Sequence, residues 1–278
     1  MDKIIGLGGA GCNLAKQFTK YPEYEVYQID CTDSTESNFF QMKEYKTAED
    51  YEKHCPDFTD FFKGISGEVL FVLCGASCIS GASLRILQQL KEVANISILY
   101  IRPDVSLLDD TRKKQERITY QVLQNYVRST LFEQMYIVDN QSLEEIVDGA
   151  PIIGFYDKLN ELAVTTVHMI NIFNNSKAVA ENFSTPHELA RISTFGMLDL
   201  ETDEEKLFFD IEYPREKMYY FAIPDKTLKT DKKLFKELTE KMKSKIEENV
   251  SVSYGIYSTA YDTPYVYCQQ KSSMIQGE

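Results

Sequence analysis

Four glycines within six residues stand near the start of the chain, between an apolar run and a helical pattern. The stretch Gly6–Asn13 follows Ile4 and Ile5 and precedes Leu14–Phe18, a run typical of a helix. Glycine lets a backbone approach an anion closely, and the free N–H groups at the start of a helix point towards it. A strand, a glycine-rich turn and a helix in this order therefore predict a phosphate-binding site.

Two kinds of nucleotide-binding fold are consistent with this loop, and a turn without a ligand is the third alternative. The spacing Gly6-x-Gly8-x-x-Gly11 matches the dinucleotide fingerprint, and Asp30 closes the next predicted strand, where a ribose-binding carboxylate would stand. A different fold that binds a mononucleotide is the competing interpretation. A plain strand-to-helix turn is the least favoured, because so many glycines cost conformational entropy.

Charge and composition exclude several classes of function. The 278 residues carry a net charge of −13, which disfavours direct binding to nucleic acid or anionic lipid, because both require a basic surface. Six cysteines are scattered along the chain and three histidines are present, so we predict neither a zinc site nor a disulfide framework. The sequence shows no signal-peptide layout and no run of transmembrane length, so we expect no membrane insertion.

Strand and helix signals alternate over the first two-thirds of the chain. This alternation requires crossover connections and predicts a mainly parallel sheet with helices on both faces. A long helix over 155–174 follows, with apolar residues repeating about every 3.6 positions. The predicted strands are 3–7, 25–29, 68–73, 97–101 and 134–138, and the predicted helices among them are 10–20, 82–93 and 109–132.

Beyond residue 177 the pattern changes and predicts a second, smaller α/β domain. Here we expect a short helix over 186–194, a strand over 218–223 and a charged helix over 231–248. Val250–Ser258 and Pro264–Gln270 alternate as the two strands of a hairpin do. The expected limits are 1–153 for a nucleotide-binding domain, 154–177 for a linking helix, 178–270 for the second domain and 271–278 for a flexible tail.

A second loop of small residues, 74–83, lies between a buried predicted strand and a helix. It consists of Cys-Gly-Ala-Ser-Cys-Ile-Ser-Gly-Ala-Ser. Two such loops at the carboxyl ends of parallel strands can hold one polyphosphate from both sides, whereas a dinucleotide-binding half does not need the second loop. Neither loop contains a lysine, so the sequence does not predict a Walker-type site.

Three motifs in register make the chain resemble the tubulin/FtsZ superfamily. The first loop, Gly8–Asn13, is similar to the first nucleotide loop of that family, and Gly75–Gly81 corresponds to its signature G-G-G-T-G-[ST]-G. The start of the long helix, Tyr156–Asn160, resembles the Y-x-x-L-N of many tubulins. The resemblance covers nearly the whole chain and implies an α/β fold with a parallel-sheet GTP-binding domain, a long central helix and a smaller α/β C-terminal domain.

The same resemblance implies roles for individual residues around GTP or GDP and Mg²⁺. The backbone of the first loop would meet the phosphates, Ser80 would donate a hydroxyl, Tyr156 would stack on guanine and Asn160 would read its edge. Taken alone, Tyr156 and Asn160 also suit an ordinary helix start, and Asp30 with Asp33 suits either a ribose contact or a capped turn. The implied nucleotide-contacting residues are Gly8, Gly9, Ala10, Gly11, Cys12, Asn13, Asp30, Gly75, Ala76, Ser77, Ser80, Gly81, Tyr156 and Asn160.

Hydrolysis in this family uses an acidic residue of the neighbouring subunit, so the resemblance also implies head-to-tail self-assembly. The matching region here is 181–189, in which Glu188 is the candidate to polarise the attacking water. Glu188 would equally complete a capping box with Thr185. Thr185 itself stands where the family commonly has a second acidic residue.

The second loop departs from the family signature. Ile79 replaces a glycine there, and a β-branched residue disfavours positive φ and would crowd a phosphate. Three functions therefore stay open: a GTP-hydrolysing filament protein, a degenerate structural or interaction module with weak or no GTPase activity, and a Rossmann-type NAD or FAD enzyme. For the first, we expect a cytoplasmic protein (in the host cytoplasm if a phage encodes it). Its partner is itself in a longitudinal homopolymer, with an adaptor or structural protein as a further partner.

Overall fold

Strands and helices alternate along residues 1–164, and strands dominate from residue 165 onwards. The computed structural model describes residues 1–147, 151–185 and 187–277. The strands are β1 (Lys3–Leu7), β2 (Glu25–Asp30), β3 (Phe39–Gln41), β4 (Gly67–Cys74), β5 (Ala94–Arg102), β6 (Gln134–Asp139), β7 (Ala180–Glu181), β8 (Ile192–Leu198), β9 (Glu205–Leu207), β10 (Pro214–Pro224), β11 (Ser251–Thr259) and β12 (Tyr265–Ser272). The helices are α1 (Gly8–Gln17), α2 (Ala48–Lys53), α3 (Ser83–Lys91), α4 (Asp110–Arg128), α5 (Asn140–Val147), α6 (Phe155–Asn174), α7 (Asp225–Thr230) and α8 (Leu234–Ser244).

The chain divides into two compact units, Met1–Val164 and Thr165–Glu278, and the division falls within α6. The first unit contains a parallel sheet in the order β3-β2-β1-β4-β5-β6. The apolar side chains of β4 and β5 are buried, as expected for parallel strands covered on both faces. The predicted α/β class and the mainly parallel sheet are therefore confirmed.

The strand order of the first unit places a crevice between β1 and β4. The sheet grows outward from β1 in one direction and from β4 in the other, so the connections leave these two strands towards opposite sides. Ligands of open α/β sheets bind at this reversal point, outside the carboxyl ends of the strands. Dinucleotide-binding folds share the same strand order, so this order alone does not distinguish them from other nucleotide-binding folds.

The second unit is built on a mixed sheet in the order β8-β12-β10-β11-β7, with β9 on β8. β10 pairs in parallel with β11 and antiparallel with β12. The predicted hairpin of β11 and β12 is therefore wrong, because each strand takes one edge of β10. On one face of this sheet, Leu238 and Met242 of α8 join the buried core around Tyr219 and Phe221.

Two further expectations for the second unit differ from the structure. The short helix predicted over 186–194 is wrong for its described residues, because 188–189 form a turn and Ile192 begins the buried strand β8 between β12 and β9. Pro186 lies outside the described residues. The expected flexible tail contains Lys271 and Ser272 of β12, and Gln276 is buried and accepts a hydrogen bond from the backbone N–H of Glu212.

None of the helices in the described part of the chain is both long enough and apolar enough to cross a membrane.

Candidate nucleotide-binding site

The first glycine loop becomes the start of α1, directly after β1. Gly8 is the first helical residue and has a φ of +70°, which glycine adopts without strain. Gly9, Ala10 and Asn13 are exposed, and a Cβ added to Gly9 would meet no atom within 4 Å. The first turn of α1, whose N–H groups have no helical partner, is therefore open to an anion.

The other two glycines of this loop serve packing. A Cβ on Gly6 would lie 2.6 Å from the carbonyl oxygen of Gly11. A Cβ on Gly11 would lie 2.5 Å from the carbonyl oxygen of Val72 in β4. α1 therefore lies directly against β1 and β4, and this contact fixes its N-terminus at the crevice.

Two of the predicted contact residues are engaged in hydrogen bonds within the protein. The buried Cys12 thiol donates to the carbonyl oxygens of Gly6 at 3.3 Å and Ile29 at 3.5 Å, and burial, assisted by the charge of Asp30, raises the pKa of Cys12 to about 12. Asp30 accepts a hydrogen bond from the backbone N–H of Cys31 at 2.9 Å, as in a capped turn. The carboxylate of Asp30 is partly exposed and the thiol of Cys12 faces the interior.

The second loop follows β4, the strand next to β1, so it lies at the same crevice as α1. After Gly75 the chain forms a 3₁₀ turn over Cys78–Ala82. The buried hydroxyl of Ser80 lies 2.8 Å from the carbonyl oxygen of Gly75 and accepts a hydrogen bond from Gln115 at 3.2 Å. The buried Ser80 hydroxyl therefore stabilises the conformation of the second loop through these hydrogen bonds.

Gly75 and Gly81 are explained by the protein's own packing. A Cβ on Gly75 would lie 2.1 Å from the hydroxyl of Tyr100, and one on Gly81 would lie 2.1 Å from the carbonyl oxygen of Ala48 at the start of α2. Of the remaining predicted loop contacts, Ala76 is half-buried and Ser77 is exposed. Ser77 is therefore the most accessible of the predicted contact residues in this loop.

Ile79 connects the two loops. Its side chain is buried, and a Cβ on Gly8 would lie 2.7 Å from its Cγ2 atom. Ile79 lies in the 3₁₀ turn and is not among the described residues with positive φ, so the backbone strain expected there is absent. Its side chain instead fills the space beside Gly8 and narrows the gap between the loops.

The start of α6 lies beside α1 within the first unit. The side chain of Gln17 donates to the carbonyl oxygen of Asp157 at 2.9 Å, and Lys20 forms an ion pair with Glu161 at 3.1 Å. Tyr156, adjacent to Asp157, is 63% exposed. The ring predicted to stack on a base is therefore exposed to solvent, and its neighbour Asp157 contacts the C-terminal end of α1.

Two amide side chains, one on α1 and one on α6, have free hydrogen-bonding groups. Asn13 is exposed on α1, and Asn160 is half-buried one turn after Tyr156 on α6. Neither amide hydrogen-bonds with any residue that the structure describes. Both remain available to a ligand that presents donors and acceptors.

Glu188 lies in an exposed turn of the second unit. The backbone N–H of Ala190 donates to the carbonyl oxygen of His187 at 2.9 Å, and the Arg191 side chain donates to the backbone oxygen of Glu188 at 2.8 Å. The described residues 187–190 form a turn and not a helix, and Thr185 and Glu188 make no capping-box hydrogen bonds within the described part of the chain. The Glu188 carboxylate makes no hydrogen bond or ion pair within the described ranges.

A buried polar cluster at the carboxyl ends of β5 and β6 was not predicted from the sequence. The hydroxyl of Tyr100 lies 3.3 Å from the carboxylate of Glu116 in α4, and Tyr100 also contacts the second loop at Gly75. Burial raises the pKa of Glu116 and of Asp139, although the charge of Arg102 opposes both shifts. The available signal was the presence of polar residues where two apolar strands end.

No three His, Cys, Asp or Glu side chains are grouped to hold a metal ion in the part of the chain that the structure describes.

Comparison with known proteins gives similarity of fold. No protein-family model matches the sequence, and no curated protein matches it. The structure is similar to an empty FtsZ dimer from M. jannaschii, with a TM-score of 0.69, 13% identity, and coverage of 98% of this chain and 88% of that one. It is also similar to TubZ of Bacillus thuringiensis serovar israelensis in its GTPγS-form protofilament, with a TM-score of 0.73, 13% identity, and coverage of 96% and 86%.

A third similar structure is a helical model of the TubZ-Bt four-stranded filament, with a TM-score of 0.71, 15% identity, and coverage of 98% of this chain and 86% of that one. These similarities extend over both units rather than over the nucleotide-type sheet alone. The chain therefore has the tubulin/FtsZ fold.

Proposed function

We propose that this chain binds a guanine nucleotide at the crevice between β1 and β4 and assembles head to tail into filaments. The observation that carries this proposal is the open first turn of α1, which stands beside the second loop at Ile79. The start of α6 contacts the other end of the same helix, at Gln17. Structures of the same fold include an FtsZ dimer and TubZ protofilaments and filaments. The fold and the free groups at this crevice together favour a nucleotide-dependent polymer.

The residues at the crevice fit the parts of a nucleoside triphosphate. Backbone N–H groups at Gly9 and Ala10 would meet phosphate oxygens, and Asn13 would add an amide from the second turn of the same helix. Tyr156 would stack on the base, and Asn160 would read the donor and acceptor groups of its edge. Bound Mg²⁺ would neutralise phosphate charge, with most of its ligands from phosphate and water, since the described residues offer no three-ligand group.

Hydrolysis in this proposal depends on the next subunit. Glu188 is exposed and has no partner among the described side chains, so its carboxylate is free to orient a water molecule across a subunit contact. In this proposal each copy would complete the site of its neighbour. Phosphate release should therefore follow assembly.

A filament protein with little or no hydrolysis is the second candidate. Ile79 fills the space beside Gly8, and the hydroxyl of Ser80 is committed to hydrogen bonds with Gly75 of the second loop and Gln115 of α4. These contacts leave the second loop with fewer groups for a phosphate than the family signature provides. A Rossmann-type enzyme is disfavoured because the structural similarity includes the second unit.

The experiment that tests the proposal is nucleotide identification followed by sedimentation. The protein is purified, its bound small molecules are extracted and identified, and it is pelleted with GTP, GTPγS, GDP or no nucleotide while phosphate release is measured. Pelleting with GTP and GTPγS but not GDP, with phosphate release from GTP, supports the first candidate. Pelleting that is indifferent to nucleotide supports the second, and retention of NAD or FAD would contradict both.

A further inference from the structure

The most basic segment of this acidic chain lies on α7 and α8. Residues 225–245 contain eight lysines against four acidic residues, so the segment carries +4 and the remaining residues carry −17. Four of these lysines are exposed and form no ion pair with a residue that the structure describes; they are Lys226, Lys232, Lys233 and Lys243. These four lysines define the α7–α8 face.

This face points outward because α8 is amphipathic. Leu238 and Met242 pack into the core of the second unit, which directs the lysines of the opposite side to solvent. Lys241 and Lys245 form ion pairs with Asp203, at 3.3 and 3.2 Å, so their charges are compensated. The four lysines of the α7–α8 face thus keep their positive charges without an ion pair to any described residue.

An acidic counterpart lies in the first unit. Residues 30–60, here called the acidic segment, contain nine acidic residues and three lysines, a net charge of −6. Glu44, Glu49 and Asp60 are exposed, and their carboxylates have no partner within the described ranges. The segment borders the candidate site, because the backbone of Ala48 lies against Gly81 of the second loop.

We propose that the α7–α8 face of one copy docks on the acidic segment of a second copy. This inference rests on the proposed function and adds to it the charges that guide assembly. A contact between two different surfaces is heterologous, so repeating it produces an open chain of subunits. Opposite patches would also set the polarity of the contact, because copies with a net charge of −13 otherwise repel one another.

Another copy is the occupant that charge favours. The chain as a whole is acidic, so the long-range field opposes the approach of duplex DNA or an anionic membrane. The acidic segment of another copy offers a local patch of opposite charge beside the site that the filament contact would cover. The attraction acts within about 8 Å at physiological salt, so it should weaken as salt is added.

Three matched charge-reversal variants test the inference. The first reverses the face (Lys232→Glu, Lys233→Glu, Lys243→Glu), and the second reverses the acidic segment (Glu44→Lys, Glu49→Lys, Asp60→Lys). The control reverses three exposed basic residues of α4 that have no ion-pair partner among the described residues (Lys113→Glu, Lys114→Glu, Arg117→Glu). Unchanged thermal melting verifies that each variant is folded.

We expect the first two variants to raise the critical concentration for assembly about tenfold, because like charges then face each other across the contact. The control should assemble as the wild type does. A mixture of the first two variants at equal concentration should assemble again, since each reversed surface then meets an oppositely charged one. Assembly of the wild type should weaken steadily from 50 to 300 mM NaCl.

Two results would overturn the inference while leaving the filament proposal intact: a face variant that assembles like the wild type, or a mixture that fails to recover. If the wild type forms no polymer with any nucleotide, the proposed function fails instead. In that case sedimentation velocity at 20 mM NaCl tests the docking inference separately from filament formation. Wild-type association that is lost in both charge-reversed variants and regained in their mixture supports the docking inference. A wild-type protein that stays monomeric at 20 mM NaCl contradicts the docking inference.

Nucleic acid is tested in the same set of variants. Duplex DNA binding that the face variant loses, with self-assembly unchanged, would assign the α7–α8 face to DNA and contradict the inference. We expect that neither the wild type nor the face variant binds duplex DNA, and that assembly recovers in the mixture of the two charge-reversed variants.

Discussion

Gly9 and Gly11 lie two residues apart in the first turns of α1, yet their surroundings differ. A Cβ on Gly9 would project into open space, whereas one on Gly11 would approach the carbonyl oxygen of Val72 to 2.5 Å. The first glycine leaves room for a ligand, and the second lets α1 lie directly against β4. Alanine at the two positions separates binding from folding.

We expect Gly9→Ala to keep the stability of the wild type and to weaken GTP binding about tenfold, because the new methyl group would hold phosphate away from the helix start. Gly11→Ala should lose about 1–3 kcal/mol of unfolding free energy through overpacking. Urea unfolding and titration with a fluorescent guanine nucleotide measure the two effects. Equal stability loss in both variants would contradict this division.

Ile79 tests how far the second loop restricts the site. Its side chain is buried against Gly8, so Ile79→Ala should cost about 2–5 kcal/mol of stability and open the gap between the loops. We expect the variant to bind GTP more tightly than the wild type at a temperature where both are folded. Affinity that is unchanged or lower would show that Ile79 does not obstruct the phosphate.

Glu116 gives a prediction for pH. Burial raises the pKa of Glu116 above its ordinary value of 4.5, so the unfolded chain releases this proton at a lower pH than the folded one. Within that window the folded state binds more protons, and stability falls as the pH rises. Glu116→Gln has no such proton, so its stability relative to the wild type should increase between pH 4.5 and pH 7 in urea unfolding. If the difference in unfolding free energy between Glu116→Gln and the wild type stays constant over this pH range, the raised pKa of Glu116 is contradicted.

At the scale of secondary-structure elements, the pairing of α1 with the start of α6 presents the candidate base-binding groups. Tyr156 is 63% exposed and contributes little burial, so Tyr156→Ala should leave thermal melting unchanged. It should lower guanine nucleotide affinity by about 1–3 kcal/mol, the usual contribution of base stacking. Tyr261→Ala is the matched control, since Tyr261 is 68% exposed in the second unit. Equal affinity in both variants would remove Tyr156 from the site.

Most strands and helices of the first unit were readable from the sequence because their signals are local, whereas β3, α2 and α5 were not predicted. The predicted strand over 3–7 is β1 residue for residue, and the helix over 155–174 is α6. The helix predicted over 186–194 is wrong because Ile192 begins the buried strand β8. Pairing with β12 and β9, which are distant in sequence, decides that Ile192–Leu198 is a strand.

At the scale of the whole molecule, the proposed filament places Glu188 and the nucleotide on different copies. We expect Glu188→Gln to pellet with GTP while releasing phosphate about a hundredfold more slowly, a typical effect of losing a general base. Exposed Glu181 of the second unit supplies the control Glu181→Gln, which should behave as the wild type. A normal rate in Glu188→Gln would exclude this residue from hydrolysis.

Mixing variants provides the stronger test of shared sites. A variant that cannot bind the base, Tyr156→Ala with Asn160→Ala, keeps its own Glu188 and should complete the site of a Glu188→Gln copy. Random mixing at equal amounts would form competent contacts at roughly a quarter of the interfaces of a heterologous polymer. We expect the mixture to release phosphate although neither variant does so alone. If the mixture releases no phosphate, the whole catalytic site lies within one copy.

The sequence by itself determined the α/β class, the position of the glycine-rich turn between β1 and α1, and the long helix, because strand periodicity, helix periodicity and glycine placement are local properties of the chain. Only the tertiary structure decided which small residues of the loops are exposed and which pack inside the protein. Gly75 and Gly81 contact Tyr100 and Ala48, and Ile79 closes over Gly8, through approaches between segments far apart in sequence. Such contacts depend on how the elements pack, and no local pattern encodes them.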